Sequence, residues 1–384
     1  MRLQQKKKVH EKEERCLVEK DKYTYKVVIV GGGPAGIATA ITLLSKGIDC
    51  CVVEAHKTPI RKSGEAIPPN AKPLLKQLGI LSLVENEKHK VYYGNKSCWG
   101  SDILEQKEFI ADKFGHGFLL DRLYFETQLQ DLYKNTNASF YSGYKLKKVV
   151  SNEKEVSTTI ENDSETIKLK SNFIVDATGR KASVCRHLGV QKETLDSQFA
   201  ITFNVKISNN IPNEISVEAT KNGWWYVAPF TENEITMMFF TLKEIIPDKE
   251  NIEIFLQKEL QTTIHLSKII KNIKIETIKI MPAGTSCLQI PYGKNWLAVG
   301  DAAYSFDPIS SYGITSALAS GFYGGHAVAD YLNGKEEALE VYRYVMENAF
   351  QAYLHKLIAH YEVEKRWKQS YFWMNRLEML KTKC

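Results

Sequence analysis

Three contrasting patterns follow one another between residues 25 and 54. Residues 25–30 form a β-branched run, uncharged after Lys26, which predicts a strand covered on both faces. Residues 37–44 carry apolar positions at helical period and stop at Gly47, which predicts a helix. Residues 48–53 are a second apolar strand, closed by Glu54. Farther along, β-rich stretches at 140–150, 155–161 and 166–170 are separated by Asn, Glu, Asp and Ser turns, which predicts a small meander. Residues 173–176 are again an apolar strand opening into a turn. Between about 183 and 290, strands at 199–207, 223–229 and 235–242 read as alternating apolar and polar, as in an antiparallel sheet. The pattern returns to an apolar strand at 296–299, then to helices over 313–332 and from 336 to about 376. No internal repeat is present.

The joint between the first strand and the first helix is GGGPAG, with Gly31, Gly33 and Gly36 in GxGxxG spacing around Pro34 and Ala35. Gly31 permits the tight turn, Gly33 lets backbone approach a pyrophosphate, and Gly36 allows close packing of helix on strand. The helix N-terminus then faces the anion. Glu54 ends the second strand about twenty residues on, where a carboxylate accepts from ribose hydroxyls. Strand, turn, helix, second strand and terminal acid agree on a Rossmann βαβ unit. NAD and FAD share this unit, so the rest of the chain must choose between them.

Composition narrows the class. A chain of 384 residues, 43% of them hydrophobic, can bury a large core. The net charge of +6 is concentrated at the start, where the first 26 residues hold nine Lys/Arg against five Asp/Glu. The remaining body is close to neutral and does not suit nucleic acid. The basic start reads as a solvated extension, with a tether to nucleic acid or membrane as the alternative. It lacks the apolar region of a signal peptide, and no apolar run long enough to span a bilayer follows, so a cytoplasmic protein is expected. The seven Cys show no metal-ligand spacing; they read as buried small hydrophobes in a reducing compartment, and no metal site is expected.

Three distant segments carry a resemblance. They are GFLLDR ending at Arg122, FIVDATGR ending at Arg180, and WLAVGDAA with Asp301, which continues through FDPISSYGITSALASG. Together with the glycine turn they resemble FAD monooxygenases and their relatives, the tryptophan halogenases and geranylgeranyl-reductase-like proteins. The resemblance selects FAD as the cofactor. It implies contacts to FAD from Glu65, Arg122, Asp301, Pro308, Gly313 and Ile314, beside Gly31, Gly33, Pro34, Ala35, Gly36 and Glu54. The helix after Gly313 would aim its N-terminus at the pyrimidine ring of the flavin, where negative charge develops on reduction. Read without the resemblance, Arg122 and Asp301 are a surface arginine and an N-cap.

Four further segments narrow the likeness: GEAIPP at 64–69, GNKSCWGS at 94–101, GWWYVAP at 223–229 and EKRW with the following Ser370, Phe372 and Trp373. They resemble the halogenase-like flavoproteins that hydroxylate aromatic side chains, notably those maturing tryptophylquinone cofactors. That implies a flavin hydroperoxide attacking an electron-rich ring, a tryptophan or indole group, free or within a polypeptide. Trp99, Trp224, Trp225 and Tyr226 would form an aromatic lid, and Trp225, Tyr226, Ser310 and Ser311 are the candidates for the chemistry. The tryptophans at 224 and 225 read equally well as core, and Trp367 and Trp373 as packing for a terminal helix.

Halogenation is the alternative. Tryptophan halogenases carry WxWxIP, whereas Tyr226 and Ala228 stand at two of those positions here. Ser310 stands where their DPxESxG segment has Glu, and neither Lys90 nor Lys96 sits in the context of their lysine. Without a second GxGxxG, reduction falls to transiently docked NAD(P)H or to a separate flavin reductase. A third reading is a flavin-binding maturation or docking protein that acts through a partner protein.

The expected fold is α/β. It has a Rossmann-like FAD-binding domain of the glutathione-reductase or para-hydroxybenzoate-hydroxylase kind, an antiparallel β-sheet substrate domain and C-terminal helices. The expected divisions are a basic extension at 1–24, an FAD-binding domain at 25–182 plus 291–334, a substrate domain at 183–290 and a helical region at 335–384.

Overall fold

The uncharged run near the start becomes the central strand of a parallel sheet, Thr24–Val30, in which Val27, Val28 and Ile29 are fully buried. The computed structural model describes residues 23–62, 64–207, 212–271, 273–275 and 277–382, so the basic start lies outside the described residues. The central strand pairs in parallel with Cys50–Glu54 on one side and Thr166–Asp176 on the other. Phe140–Ser142 and Trp296–Ala298 extend the sheet outward in parallel. In register, Val30 stands opposite both Val53 and Asp176, and Asp176 opposite Ala298. The carboxyl ends of these strands therefore come out at one edge. Two helices flank it, α1 (Pro34–Ser45) and α2 (Arg122–Lys134).

The meander forms from Lys145–Ser151, Val156–Glu161 and Thr166–Asp176. The stretches expected separately at 166–170 and 173–176 are one strand of 11 residues. Its burial alternates through the half-exposed meander and becomes continuous from Phe173, where the parallel sheet covers it.

A second sheet, the platform, has seven strands in the order Lys279–Pro282, Gln198–Lys206, Glu234–Leu242, Gly223–Pro229, Glu214–Thr220, Gly94–Cys98 and Glu105–Glu108. It departs from expectation in three ways. Residues 94–108 join it from the first segment of the chain, and Glu214–Thr220 pairs in parallel with Gly94–Cys98. Neither of the strands from 94–108 has a β-branched or apolar signature, so pairing with neighbours decides their conformation. Nor does the central strand alternate. Every residue of Gly223–Pro229 is buried, because α3 (Ile252–Gln261) packs on the second face of the sheet.

The chain then returns to the first sheet and finishes in α4 (Gly313–Leu332), α5 (Ala338–Val363) and α6 (Tyr371–Thr382). Small residues let α4 lie directly on α1: a Cβ on Gly321 would stand 2.3 Å from the Ala35 carbonyl oxygen. The expected single terminal helix is broken after Val363. The Glu364 carboxylate there accepts from the Gly100 and Arg366 amides, which ties the break to the platform edge.

Candidate active site

The glycine turn leaves the carboxyl edge of the parallel sheet between Val30 and α1. Gly31 has φ +114° and a Cβ there would lie 2.1 Å from the Ala177 carbonyl oxygen, so both conformation and space demand glycine. A Cβ on Gly36 would meet the Gly31 carbonyl oxygen at 1.9 Å. Gly33 is different: a Cβ there meets nothing within 4 Å, so it faces open space at the uncapped start of α1. That space suits a pyrophosphate, since the first helical N–H groups lack intrahelical partners. Pro34 needs no such partner at the first helical position, and Ala35 is buried against α4. Glu54 closes the turn, its two carboxylate oxygens accepting from the Gly32 amide (2.7 Å) and the His56 amide (2.9 Å). Gln130 of α2 donates to the Gly32 carbonyl at 3.0 Å. Gln130 was not anticipated, although a polar side chain on the same helix face as Phe125 and Leu129 is a readable signal.

Arg122 begins α2 behind its N-cap Asp121, which accepts from the Tyr124 amide. Its guanidinium donates to the Gly64 carbonyl at 2.7 Å and to Glu126 at 2.5 Å. Lys62 reaches the same buried Glu126 at 2.6 Å. Burial works against ionisation of Glu126, yet Arg122 and Lys62 outweigh it and hold the carboxyl below its ordinary range. Lys62 and Gly64 are thereby strapped to α2. Beside it opens a cavity of about 370 Å³, reaching from Arg61 and Arg122 past Glu65 to Thr202 and Lys206 of the second sheet.

Glu65 is buried at the inner end of this strap. Desolvation pushes its carboxyl up to about 7 against the pull of Arg122, and Oε2 bonds to no described residue. Tyr226 also has a buried hydroxyl that bonds to no described residue. Burial first, then the neighbouring Glu65 and Tyr92, push that phenol well above its ordinary range. Two buried polar groups with unused bonding capacity thus act on each other electrostatically, Tyr226 on the platform and Glu65 next to Ala66, which packs in the same apolar cluster.

The other lid candidates divide by face. Trp224 shares the face of Tyr226, stacks on Phe240 at 3.9 Å and donates its indole N–H to the Tyr361 hydroxyl at 3.0 Å. Trp99 donates to the His360 carbonyl at 2.9 Å and packs edge-on against Trp373. Trp225 points the other way. Strand alternation turns it into the core under α3 with Ile201, Val227 and Leu256, so the structure removes it both from the lid and from the candidates for the chemistry. Trp373 is fully buried and donates to the Thr220 carbonyl, which is the packing role expected of it.

Asp301 follows Gly300, whose φ is +59° and whose amide donates to Ser320 of α4 at 2.6 Å. Its carboxylate lies 3.5 Å from Arg180, whose guanidinium also donates to the Phe306 carbonyl. Lys192, another residue the sequence did not single out, donates to the Asp301 carbonyl; burial pulls its ammonium down to about 8 while Asp301 opposes the shift. From Asp307 the chain makes a short turn, Pro308–Ser310, and enters α4 at Gly313. The Ser310 hydroxyl donates to the Asp307 carbonyl at 2.8 Å, so it is engaged in shaping the turn. Ser311 holds a left-handed φ of +54°. Gly313 faces open space, Ile314 is buried, and the Thr315 hydroxyl is a buried group bonded to no described residue. Lys96, in contrast, forms an ion pair with Glu214 at 2.5 Å on the platform.

Glycine turn, Glu54, residues 177–180 and Asp301 thus converge on one sheet edge, the position where open α/β sheets bind nucleotides. The family described as "FAD binding domain" matches residues 24–354. The chain belongs to this family. It is an FAD-dependent oxidoreductase, and its fold is that of flavin-dependent halogenases and hydroxylases. The putative FAD-dependent oxidoreductase LodB of Marinomonas mediterranea is 25% identical over 362 residues, 92% of this chain and 97% of that one. The 1H-pyrrole-2-carbonyl-[peptidyl-carrier protein] chlorinase of Pseudomonas fluorescens is 25% identical, over 78% of this chain and 74% of its own. Among solved structures, the flavin-dependent halogenase CmlS superposes with a TM-score of 0.83 at 21% identity, covering 94% of this chain and 70% of that one. The peptidyl tryptophan dihydroxylase QhpG superposes with a TM-score of 0.75 at 20% identity, covering 92% and 78%. No helix among the described residues is long and apolar enough to cross a membrane.

The site's residues fit the cofactor of this family. Gly33 and Gly313 leave open the spaces that side chains would fill, and Glu65 and Thr315 keep buried polar atoms for a ligand.

Proposed function

We propose that this protein is a monooxygenase that hydroxylates an electron-rich aromatic ring, a tryptophan or indole group carried by a polypeptide. The observation that carries the reading is two buried groups with unused bonding capacity, Glu65 and Tyr226, that act on each other electrostatically beside the aromatic platform face, with Lys96 engaged in its own ion pair. FAD, bound and reduced, would supply the activation of dioxygen. The chain's residues would do the rest. Gly33, the start of α1 and Glu54 would hold the nucleotide, while Arg122 keeps the strap closed beside it. Trp224, Phe240 and Trp99 form an apolar wall that excludes water. Glu65, whose carboxyl titrates near 7, can hold a proton at neutral pH and return it at Oε2. The Tyr226 hydroxyl beside it would orient a ring N–H or O–H.

Ser310 stands where the halogenase motif has a carboxylate, and its hydroxyl is engaged by the Asp307 carbonyl. The proposal extends to a substrate entering through the cavity beside Arg61 and to reduction either by transiently docked NAD(P)H or by a separate flavin reductase. The test supplies the FAD-loaded protein with a reductase, oxygen-18 and indole-bearing peptides. Labelled hydroxy product supports the reading, whereas peroxide alone with every peptide counts against it. The similarity to a chlorinase favours halogenation as the second reading. Product whose mass follows chloride or bromide would replace hydroxylation with it.

A further inference from the structure

Arg376, on the last helix of the described chain, is fully buried and pairs with two buried carboxylates, Asp196 and Asp307. Its guanidinium also lies 4.8 Å over the Tyr361 ring. Asp307 is the residue that opens the turn into α4. One of its oxygens accepts from the Ile309 amide at 2.8 Å, and the other accepts from Arg376 and from the Tyr361 hydroxyl at 2.9 Å. Its own amide donates to the Tyr353 hydroxyl at 2.6 Å. Asp196 accepts from the Gln198 amide at 3.0 Å and the Thr285 amide at 2.7 Å, so it is fixed to the platform strand that begins at Gln198. Burial opposes ionisation of Asp196, but Arg376 and these amides outweigh it and hold the carboxyl below its ordinary range. The Tyr361 hydroxyl reaches the Gln198 side chain at 3.1 Å and accepts from the Trp224 indole.

We propose that Arg376 is a positioning residue for the flavin: through Asp307 it fixes the turn before α4 against the aromatic platform, so that the last helix is a working part of the active site. The inference rests on the reading that residues 308–314 face the flavin. A buried ion pair is poor evidence for stability, because apolar side chains of similar volume often serve as well or better. What it supplies here is one arrangement of three separate segments, and the turn requires it. Ser311 sits in a left-handed conformation that a non-glycine residue keeps only when its surroundings over-determine it. Asp307 is the fixed end of that turn and Gly313 its open end. Losing the clamp would let the N-terminus of α4 shift away from the position where charge develops on reduction.

The test uses FAD-loaded protein and four variants: Arg376→Met, Arg376→Lys, Leu380→Ala and Gly313→Trp. Leu380 is a fully buried neighbour on the same helix and serves as the stability control. Dissociation of FAD, flavin midpoint potential, visible spectrum and melting temperature are measured for each. Arg376→Met should weaken FAD binding by about ten- to a hundredfold and lower the midpoint potential. Arg376→Lys should restore part of both, and Leu380→Ala should lower the melting temperature with neither moved. If both methionine and alanine variants change binding and potential alike, or if neither Arg376 variant changes them, the proposal is overturned. Should Arg376→Met not fold, the lysine variant against Leu380→Ala decides by the same criteria. Gly313→Trp separates the two levels: unchanged FAD properties there would remove the underlying reading, while a changed Gly313→Trp beside a silent Arg376→Lys and Arg376→Met would remove this one alone.

Discussion

The two sides of the candidate site hold position by opposite means. At the edge of the parallel sheet the machinery is backbone: Gly31, Gly33 and Gly36 shape a turn in which two positions have no room for a Cβ and the third faces open space. Across from it, the platform is built from large buried side chains, with Trp224 stacked on Phe240 and donating to Tyr361 far along the chain, and Tyr226 packed on the same face. A backbone cradle binds what every FAD shares, its phosphates and ribose. A side-chain platform can distinguish one substrate from another, and it can be altered without dismantling the cradle.

The sharpest way to break that contrast is Gly33→Trp. Nothing described lies within 4 Å of a Cβ at Gly33, so the folded chain should tolerate the indole while the nucleotide cannot. FAD affinity should fall at least about a hundredfold, roughly 3 kcal/mol or more, while the melting temperature of flavin-free protein stays within a few degrees. Equal loss of fold and cofactor would show that the open space is not a ligand's. If the variant, free of FAD, kept its biological effect, the maturation or docking reading would replace catalysis.

The same division explains what could be read from the chain in advance. The glycine turn, its flanking strands and Glu54 are local features, with spacing and hydrophobic period sufficient to place them. The helix at Gly313–Leu332 was legible for the same reason. Three antiparallel strands of the platform, Gln198–Lys206, Gly223–Pro229 and Glu234–Leu242, were legible too, but the roles of its side chains were not, because they depend on what covers each face. Trp224 and Trp225 are adjacent identical residues, and only the packing of α3 on one face and α5 and α6 on the other separates their roles. Residues 94–108 lack a strand signature and are recruited by Glu214–Thr220. Arg376 reads as one basic residue on a terminal helix until Asp196 and Asp307 surround it.

A second prediction probes where platform and cradle meet, at Glu65. Its carboxyl is raised to about 7 from an ordinary value of 4.5, chiefly by burial. Below the lower value both folded and unfolded chains are protonated and the group is silent. As pH rises from 4.5 towards 7 the unfolded chain releases its proton first, so folding loses stability across that window. Glu65→Gln cannot ionise and should escape the loss. Compared by denaturant unfolding in flavin-free protein, the variant should gain about 3 kcal/mol on wild type between pH 4 and pH 8. A pH-independent difference between the two proteins would mean that Glu65 is ionised in the fold and cannot act as the neutral-pH proton carrier.

The smallest effect tests the platform's two faces against each other. Trp224 donates its indole N–H to Tyr361, while the buried indole N–H of Trp225 bonds to no described residue. Replacing each by Phe removes a little apolar volume and one donor. For Trp224 that donor is in use, and Tyr361 carries the connection onward to Asp307. Trp224→Phe should therefore cost about 1–2 kcal/mol more than Trp225→Phe, where removal of an unpaired buried donor offsets part of the lost packing. The flavin spectrum should shift only for Trp224→Phe, since Trp225 faces α3. Equal costs with equal spectra would mean that the hydrogen bond from Trp224 contributes no more than its ring. The division of labour between the faces would then lie in the shape of the apolar wall and not in the polar chain from Trp224 through Tyr361 to Asp307.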